Sequence, residues 1–188
     1  MNKLAKGSLA GAAGVVLLLG GAGTFAYWNA QAGVVGGTVA AGQLSLVDDG
    51  AQGVWTDQND AVIDPATYRI VPGDVLTYTD DLTLVAVGDN IRAELTLAGG
   101  AIAPTTPGDA EDVALASFLQ DSAVLTATGG NIVAGTPANT FTVTEGTATV
   151  TTTITLAFPF GSDTTNNSAQ LGSVNLSDMA ISLVQTEQ

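Results

Sequence analysis

Alternation between polar and apolar residues is strongest from Thr147 to Phe158. Threonine occupies every odd position from 147 to 155, and the even positions are apolar apart from Thr152. Side chains of a β-strand alternate between its two faces, so this pattern predicts a strand with one buried and one solvated face. Such a strand is typical of an antiparallel sheet.

A second alternating stretch runs from Val75 to Leu97 and is interrupted by the turn sequence Gly88-Asp89-Asn90. We interpret it as a β-hairpin, because two strand-like runs joined by a short turn normally pair with each other. Asp80 falls on the otherwise apolar face of the first run, which predicts a bulge at Asp80–Asp81.

The rest of the chain predicts further short strands and one helix. Apolar positions change phase within Ser173–Val184, which predicts a last strand with a bulge at Ser177–Asp178. Asp48–Asp64 is polar and rich in turn residues, which predicts a surface loop. Asp109–Gln120 predicts a short covering helix with Asp109 as its N-cap. Many short alternating strands together indicate an all-β, antiparallel two-sheet sandwich.

The N-terminus has the three parts of a secretory signal peptide. Lys3 and Lys6 form the basic start, an apolar run follows from Leu9 to Gly23, and small residues precede Tyr27. We predict a signal peptide helix over residues 1–26, cleaved between Ala26 and Tyr27, so that the mature protein is secreted. An uncleaved membrane anchor is the alternative, but the apolar run is shorter than the roughly 20 residues that a spanning helix needs.

Cleavage at this point creates a free N-terminal segment over residues 27–36. Its side chains alternate, and one face of an extended strand carries Trp28, Ala30, Ala32 and Val34. The segment is therefore a candidate donor strand that completes the sheet of another subunit. The alternatives are an ordinary edge strand and a disordered tail. Residues 37–188 are predicted to form the folded domain.

Several motifs resemble the TasA/camelysin family of exported Gram-positive proteins. They are Gly-Thr-Phe-Ala-Tyr-Trp-Asn at residues 23–29, Gly-Thr-Val-Ala-Ala-Gly-Gln-Leu-Ser-Leu at residues 37–46, the turn at residues 72–74, and the stretch at residues 165–183. The resemblance covers both ends and the first third of the chain. It implies a jelly-roll domain, processing by a SipW-type signal peptidase, and a role either in extracellular matrix fibres or as a metallopeptidase.

The chain has 18 acidic residues and only four lysines and arginines, so its formal net charge is −14. Removal of Lys3 and Lys6 with the signal peptide brings the charge of the mature protein to −16. Such a surface repels phosphate groups, which argues against nucleic acid and against anionic membranes as partners. We therefore expect membrane contact only through the signal peptide before cleavage.

The sequence offers little catalytic chemistry. It has neither histidine nor cysteine, which excludes histidine-based triads, Cys-His dyads and histidine zinc sites. The mature chain also lacks lysine, which excludes a Ser-Lys dyad and lysine isopeptide crosslinks. Its paired acidic residues carry no recognisable motif. We therefore assign no catalytic residue and expect that the protein is not an enzyme.

One weak metal candidate remains. Asp57, Asn59, Asp60 and Asp64 are the densest group of oxygen ligands in the chain, and Ca²⁺ prefers oxygen ligands. The stretch lacks the glycine and the distal glutamate of an EF-hand loop, so a solvated loop is the alternative. We predict no other cofactor.

These features together predict a secreted structural subunit of an extracellular fibre or biofilm matrix, assembled non-covalently by addition of the N-terminal donor strand. The expected partners are further copies of the chain, other matrix or cell-surface proteins and, during export, the signal peptidase. Two alternatives stay open. One is a camelysin-like secreted peptidase, against which the missing histidine speaks, and the other is a monomeric cell-surface binding module.

Overall fold

The computed structural model describes residues 2–21, 33, 35–48, 50, 53–98, 102–161 and 165–187. Contacts between Cα atoms divide the chain into two compact units, Met1–Val39 and Ala40–Gln188. The first unit contains helix α1 (Lys3–Gly21), which spans most of the predicted signal peptide. Within the described residues, α1 and the other helical segments fall short of the length and apolar character needed to cross a membrane.

The regular secondary structure of the second unit is mostly β. Its strands are β1 (Gln43–Asp48), β2 (Val54–Thr56), β3 (Val75–Val87), β4 (Ala93–Leu97), β5 (Ala103–Pro104), β6 (Val124–Gly129), β7 (Ile132–Ala134), β8 (Thr140–Val143), β9 (Gly146–Ala157), β10 (Val174–Asn175) and β11 (Ile181–Gln185). Helix α2 (Ala110–Ser122) lies between β5 and β6, and a short 3-10 helix (Thr165–Ala169) precedes β10.

The strands form three antiparallel sheets in the described part of the chain. A five-stranded sheet has the order β1-β3-β9-β6, and β2 pairs with the other end of β3. A four-stranded sheet has the order β11-β4-β8-β7, and β10 and β5 form a small third sheet. The prediction of an all-β, antiparallel fold is therefore confirmed, with a third small sheet that the sequence did not predict.

One cluster of buried side chains joins the two larger sheets. Val150, Ile154 and Leu156 of β9 and Leu95 of β4 are at most 1% exposed and belong to the same cluster. The inward side chains of β9 are the even-numbered ones that the alternation predicted. Each fully buried leucine or isoleucine contributes about 1.5–3 kcal/mol relative to an exposed one, so this shared core supplies most of the stability.

Helix α2 covers part of this core, as the sequence predicted. Asp109 is its N-cap, and its Oδ1 accepts a hydrogen bond of 3.1 Å from the amide of Asp112. Leu115 and Leu119 are buried in the core, and the ring of Phe118 lies 5.6 Å from the ring of Phe158. The helix ends at Ser122, two residues later than predicted.

The predicted hairpin over Val75–Leu97 is wrong. β3 belongs to the five-stranded sheet, whereas β4 pairs with β8 and β11 in the four-stranded sheet. The turn between them is closed by a 2.9 Å hydrogen bond from the amide of Ile91 to the carbonyl of Gly88. Alternation fixes which face of each strand is buried, but it carries no information about the partner strand, so the chain could cross between sheets here.

The predicted bulge at Asp80–Asp81 is also wrong. β3 and β9 pair one residue to one residue from Val75 opposite Ala157 to Ala86 opposite Gly146. Asp80 therefore keeps the phase of the inward-facing residues and lies directly opposite Thr152.

The last predicted strand is divided into two. β10 pairs with β5 and β11 pairs with β4, and Ser177–Asp178 forms a turn between them rather than a bulge. The amide of Ser177 donates a 2.8 Å hydrogen bond to the Asn175 side chain, which stabilises this turn. The predicted loop over Asp48–Asp64 likewise contains strand β2.

Candidate functional site

The predicted processing and assembly residues lie outside the described part of the chain. These are Ala26 and Tyr27 at the cleavage site, and Trp28, Ala30, Ala32 and Val34 on the candidate donor face. Their roles stay predictions.

The candidate calcium residues form two successive turns. Oδ1 of Asp57 accepts hydrogen bonds from the amides of Asn59 at 2.8 Å and Ala61 at 3.0 Å. These two amides, Asn59 first, hold the pKa of Asp57 below its usual range. Asp60 adopts the left-handed conformation, with φ of 61°. This first turn therefore closes the connection between β2 and residue 62, which bridges back to Thr56.

The fourth candidate ligand, Asp64, begins the second turn. Its Oδ1 accepts a 3.0 Å hydrogen bond from the amide of Ala66, and its carbonyl accepts from Thr67 and Tyr68. Asp57 and Asp64 thus each use a carboxylate oxygen to cap a turn, an ordinary role for aspartate. Across the described ranges, no three acidic side chains are grouped closely enough to hold a metal ion.

The turn at residues 72–74 is held by a buried carboxylate. Asp74 is 9% exposed, and its Oδ2 accepts from the amide of Val71 at 2.9 Å and from the hydroxyl of Tyr68 at 3.4 Å. Its Oδ1 accepts from Nε2 of Gln58 at 3.3 Å. Burial, and then the charge of Asp74, raise the pKa of Tyr68. Asp74 therefore joins the loop after β2 to the start of β3, which is a structural role.

A tyrosine–aspartate pair lies on the inward face of β3. The hydroxyl of Tyr78 donates a 3.1 Å hydrogen bond to Oδ2 of Asp80, and burial followed by this bond raises the pKa of Tyr78 to about 12. Trp55 of β2 packs on Tyr78 with ring centres 5.3 Å apart. This pair was not predicted from the sequence, although Asp80 and Thr152 both break the alternation of their strands and thereby mark the position.

The edge strands β1 and β11, one from each of the two larger sheets, lie next to each other. β1 pairs only with β3, and β11 pairs only with β4, so within the described ranges each strand leaves one edge unpaired. β1 and β11 are neighbours in the fold but do not pair. Their inward leucines and isoleucine remain only half-buried: Leu44, Leu46, Ile181 and Leu183. Unpaired backbone beside incompletely covered apolar side chains is what an added strand needs.

Comparisons with known proteins do not identify the chain. No family model, no curated protein and no solved structure matches it.

Proposed function

We propose that the chain is a secreted structural subunit of an extracellular fibre or biofilm matrix, in which the N-terminal segment of one subunit completes the fold of the next. The resemblance of its N-terminal, turn and C-terminal motifs to the TasA/camelysin family supports this function. The lack of histidine and cysteine favours a structural role over the peptidase role that the same resemblance implies.

The observation that carries the proposal is the gap between β1 and β11. A strand placed there gains backbone hydrogen bonds from an unpaired edge and covers the half-buried side chains of Leu46 and Leu183. The alternating face of Trp28, Ala30, Ala32 and Val34 provides apolar side chains for that purpose.

The strand pairing also supports a jelly roll with this gap. A jelly roll is a double antiparallel sheet of eight strands that contains two Greek keys. The pairs β3–β9, β4–β8 and β4–β11 join strands that are distant in sequence, as the long connections of Greek keys do, whereas β1–β3 and β7–β8 do not. β1 and β11, the first and last strands, are neighbours but do not pair, and β1 pairs with β3 instead. We propose that the donor strand takes the place of this missing pair.

Such an assembly grows into a filament. The donor segment and the acceptor gap are different surfaces, so each contact is head-to-tail and leaves a free donor and a free gap at the two ends. Gly36 and Gly37 lie at the boundary between the segment and the predicted domain, and a Cβ at either position would meet no atom within 4 Å. Glycines impose few limits on backbone conformation, so this pair can serve as the hinge that lets the segment reach another subunit.

Deletion of Tyr27–Val35 from the mature protein tests the proposal. We expect a folded protein by circular dichroism that forms no filaments, because the acceptor gap is intact but no donor is present. A synthetic peptide with the sequence of residues 27–35 should also stop filament growth by the intact protein, whereas a scrambled peptide should not. Filaments of the deletion variant would show that donor-strand addition is wrong.

A further inference from the structure

The outward face of the five-stranded sheet is built almost entirely from β-branched residues. We call the outward residues of β1, β2, β3, β6 and β9 the threonine face. Threonines of three adjacent strands lie side by side across it, as in the row formed by Thr79, Thr153 and Thr126. Neighbouring rows repeat the pattern, with Thr83 opposite Thr149 and Thr151 opposite Thr128.

The threonine face is nearly free of charge. The chain has 18 acidic residues, yet Asp81 is the one charged residue that the described register places on this face. Oδ1 of Asp81 accepts a 2.6 Å hydrogen bond from the hydroxyl of Thr151, so part of its polarity is already satisfied. The solvated face of a sheet in so acidic a protein would be expected to carry more of the acids, because Asp and Glu are mostly exposed.

Exposed apolar side chains surround the threonines. Val54 and Val124 are both 45% exposed, Val87 is 47% exposed and Val47 is 50% exposed, and all four lie on this face. A low content of charged residues distinguishes interfaces from other surface, and the one charged residue that the described strands place on this face, Asp81, lies at the middle of β3. Valine and threonine also have restricted χ1 rotamers, so little side-chain entropy is lost when they are fixed in a contact.

We propose that two copies of the mature chain pair through their threonine faces. The face is about 40 Å long and about 19 Å wide, the width of four strands, which gives roughly 760 Å². This area and the roughly twenty residues on the face match what a standard interface contributes per partner. Two sheets pack face to face at about 10 Å with their strands nearly aligned, so two identical faces can meet in this way.

Charge favours this face over the rest of the surface. Mature chains of charge −16 repel each other, and the repulsion is smallest where the facing surfaces carry few acids. The proposal goes beyond fibre assembly and does not depend on it, because it uses neither the donor segment nor the gap between β1 and β11.

Sedimentation equilibrium tests the pairing without interference from filaments. The mature protein with Trp28→Asp and Val34→Asp should behave as a reversible dimer, and its dissociation constant should fall at least ten-fold as NaCl rises from about 0.05 M to about 0.5 M, because salt screens the repulsion. A monomer at all protein and salt concentrations would overturn the proposal. Filament formation is measured separately on the unsubstituted protein, so failure of one proposal does not imply failure of the other.

Substitutions locate the interface. Thr79→Glu adds a charge at an exposed, central position of the threonine face, and we expect it to weaken the dimer at least ten-fold. Thr142→Glu adds the same charge at an exposed position of the four-stranded sheet and should leave the dimer unchanged. Equal weakening by both variants would mean that total charge, rather than this face, controls association, and would also overturn the proposal.

A mixing experiment separates interface loss from misfolding. Thr79→Glu and Thr79→Arg should each be impaired alone, but an equimolar mixture should pair again, because the added charges then have opposite signs and attract each other across the shared face. Unfolded variants could not be rescued in this way. Folded variants that stay monomeric in the mixture would contradict pairing through Thr79.

Discussion

Asp80 and Thr152 lie directly opposite each other on the inward faces of the two central strands. Thr152 is fully buried, and its hydroxyl donates a 3.1 Å hydrogen bond to the carbonyl of Asp80. From the sequence, Asp80 alone predicted a bulge, because a charged residue in an apolar series costs free energy unless it is hydrogen-bonded. Tyr78, whose hydroxyl donates to the carboxylate of Asp80, lies two residues away, whereas Thr152, whose hydroxyl donates to the Asp80 carbonyl, lies 72 residues away. Only the second of these relations requires the fold, so the Tyr78–Asp80 bond could have been predicted.

Tyr78→Phe should remove a pH-dependent part of the stability. The pKa of Tyr78 is raised above its ordinary value of 10.0 to about 12 in the folded protein, so its contribution is complete below pH 10 and is lost as pH rises towards 12. We expect the variant to lose about 1 kcal/mol at neutral pH, from one hydrogen bond, and to show a shallower decline between pH 10 and pH 12. Urea unfolding of the variant and of the unsubstituted protein at neutral pH, pH 10 and pH 12 measures these differences. The same dependence of unfolding free energy on pH in both proteins would contradict the prediction.

Asp112 should stabilise the protein at neutral pH and fail to do so in acid. The residue is 6% exposed, and its carboxylate accepts hydrogen bonds from the amides of Ser173 at 2.6 Å and Thr106 at 2.9 Å. These amides, Ser173 first, lower the pKa of Asp112 below its ordinary value of 3.8. The stabilisation is therefore complete above that value and is lost as pH falls below it.

Asp112→Asn should lower the urea midpoint at pH 7, and the difference from the unsubstituted protein should shrink below pH 4. Glu111→Gln is the matched control, because Glu111 is exposed in the same helical turn and should have little effect. A loss of stability that is the same at both pH values would show that the charge of Asp112 is unimportant.

Long regular elements were predictable, and their partners were not. β3 has the predicted bounds, β9 differs by one residue at each end, and α2 follows its predicted cap. Each of these rests on local rules of periodicity and capping. The crossing from β3 to β4 and the division of the last strand depend on which distant edge is free to pair. A short turn such as Ser177–Asp178 satisfies the phase change as well as a bulge does, and the sequence cannot distinguish the two.

Gly42 should be essential for the docking of β1. A Cβ at this position would fall on the backbone carbonyl oxygen of Val87, at the end of β3, and a backbone atom cannot move aside without disturbing the pairing. We expect Gly42→Ala to destabilise the protein by about 1–3 kcal/mol, which is typical of overpacking. Gly37→Ala is the control, since a Cβ there meets no atom within 4 Å, and it should change the unfolding free energy by less than about 0.5 kcal/mol. Equal effects in urea unfolding would show that the close approach at Gly42 is not rigid.

At the scale of the whole molecule, the sequence predicts a donor segment, and the structure has a gap between β1 and β11 that we propose as its acceptor. Alternation in Tyr27–Val35 is a local pattern and could be read directly. The gap between β1 and β11 could not, because it arises from the first and last strands of the domain coming together without pairing. The threonine face was visible as alternation in β9 alone, but its extension across β3 and β6 depends on the register of three strands.

Negative-stain electron microscopy of the mature protein tests the donor-strand account most directly. The unsubstituted protein should form filaments, and Trp28→Asp with Val34→Asp should form none, because two charges cannot be buried in the acceptor gap. Asn29→Asp with Gln31→Asp is the matched control, since it adds the same charge on the opposite face of the segment and should still form filaments. Filaments of the Trp28 and Val34 variant, or their absence from the unsubstituted protein, would contradict the account.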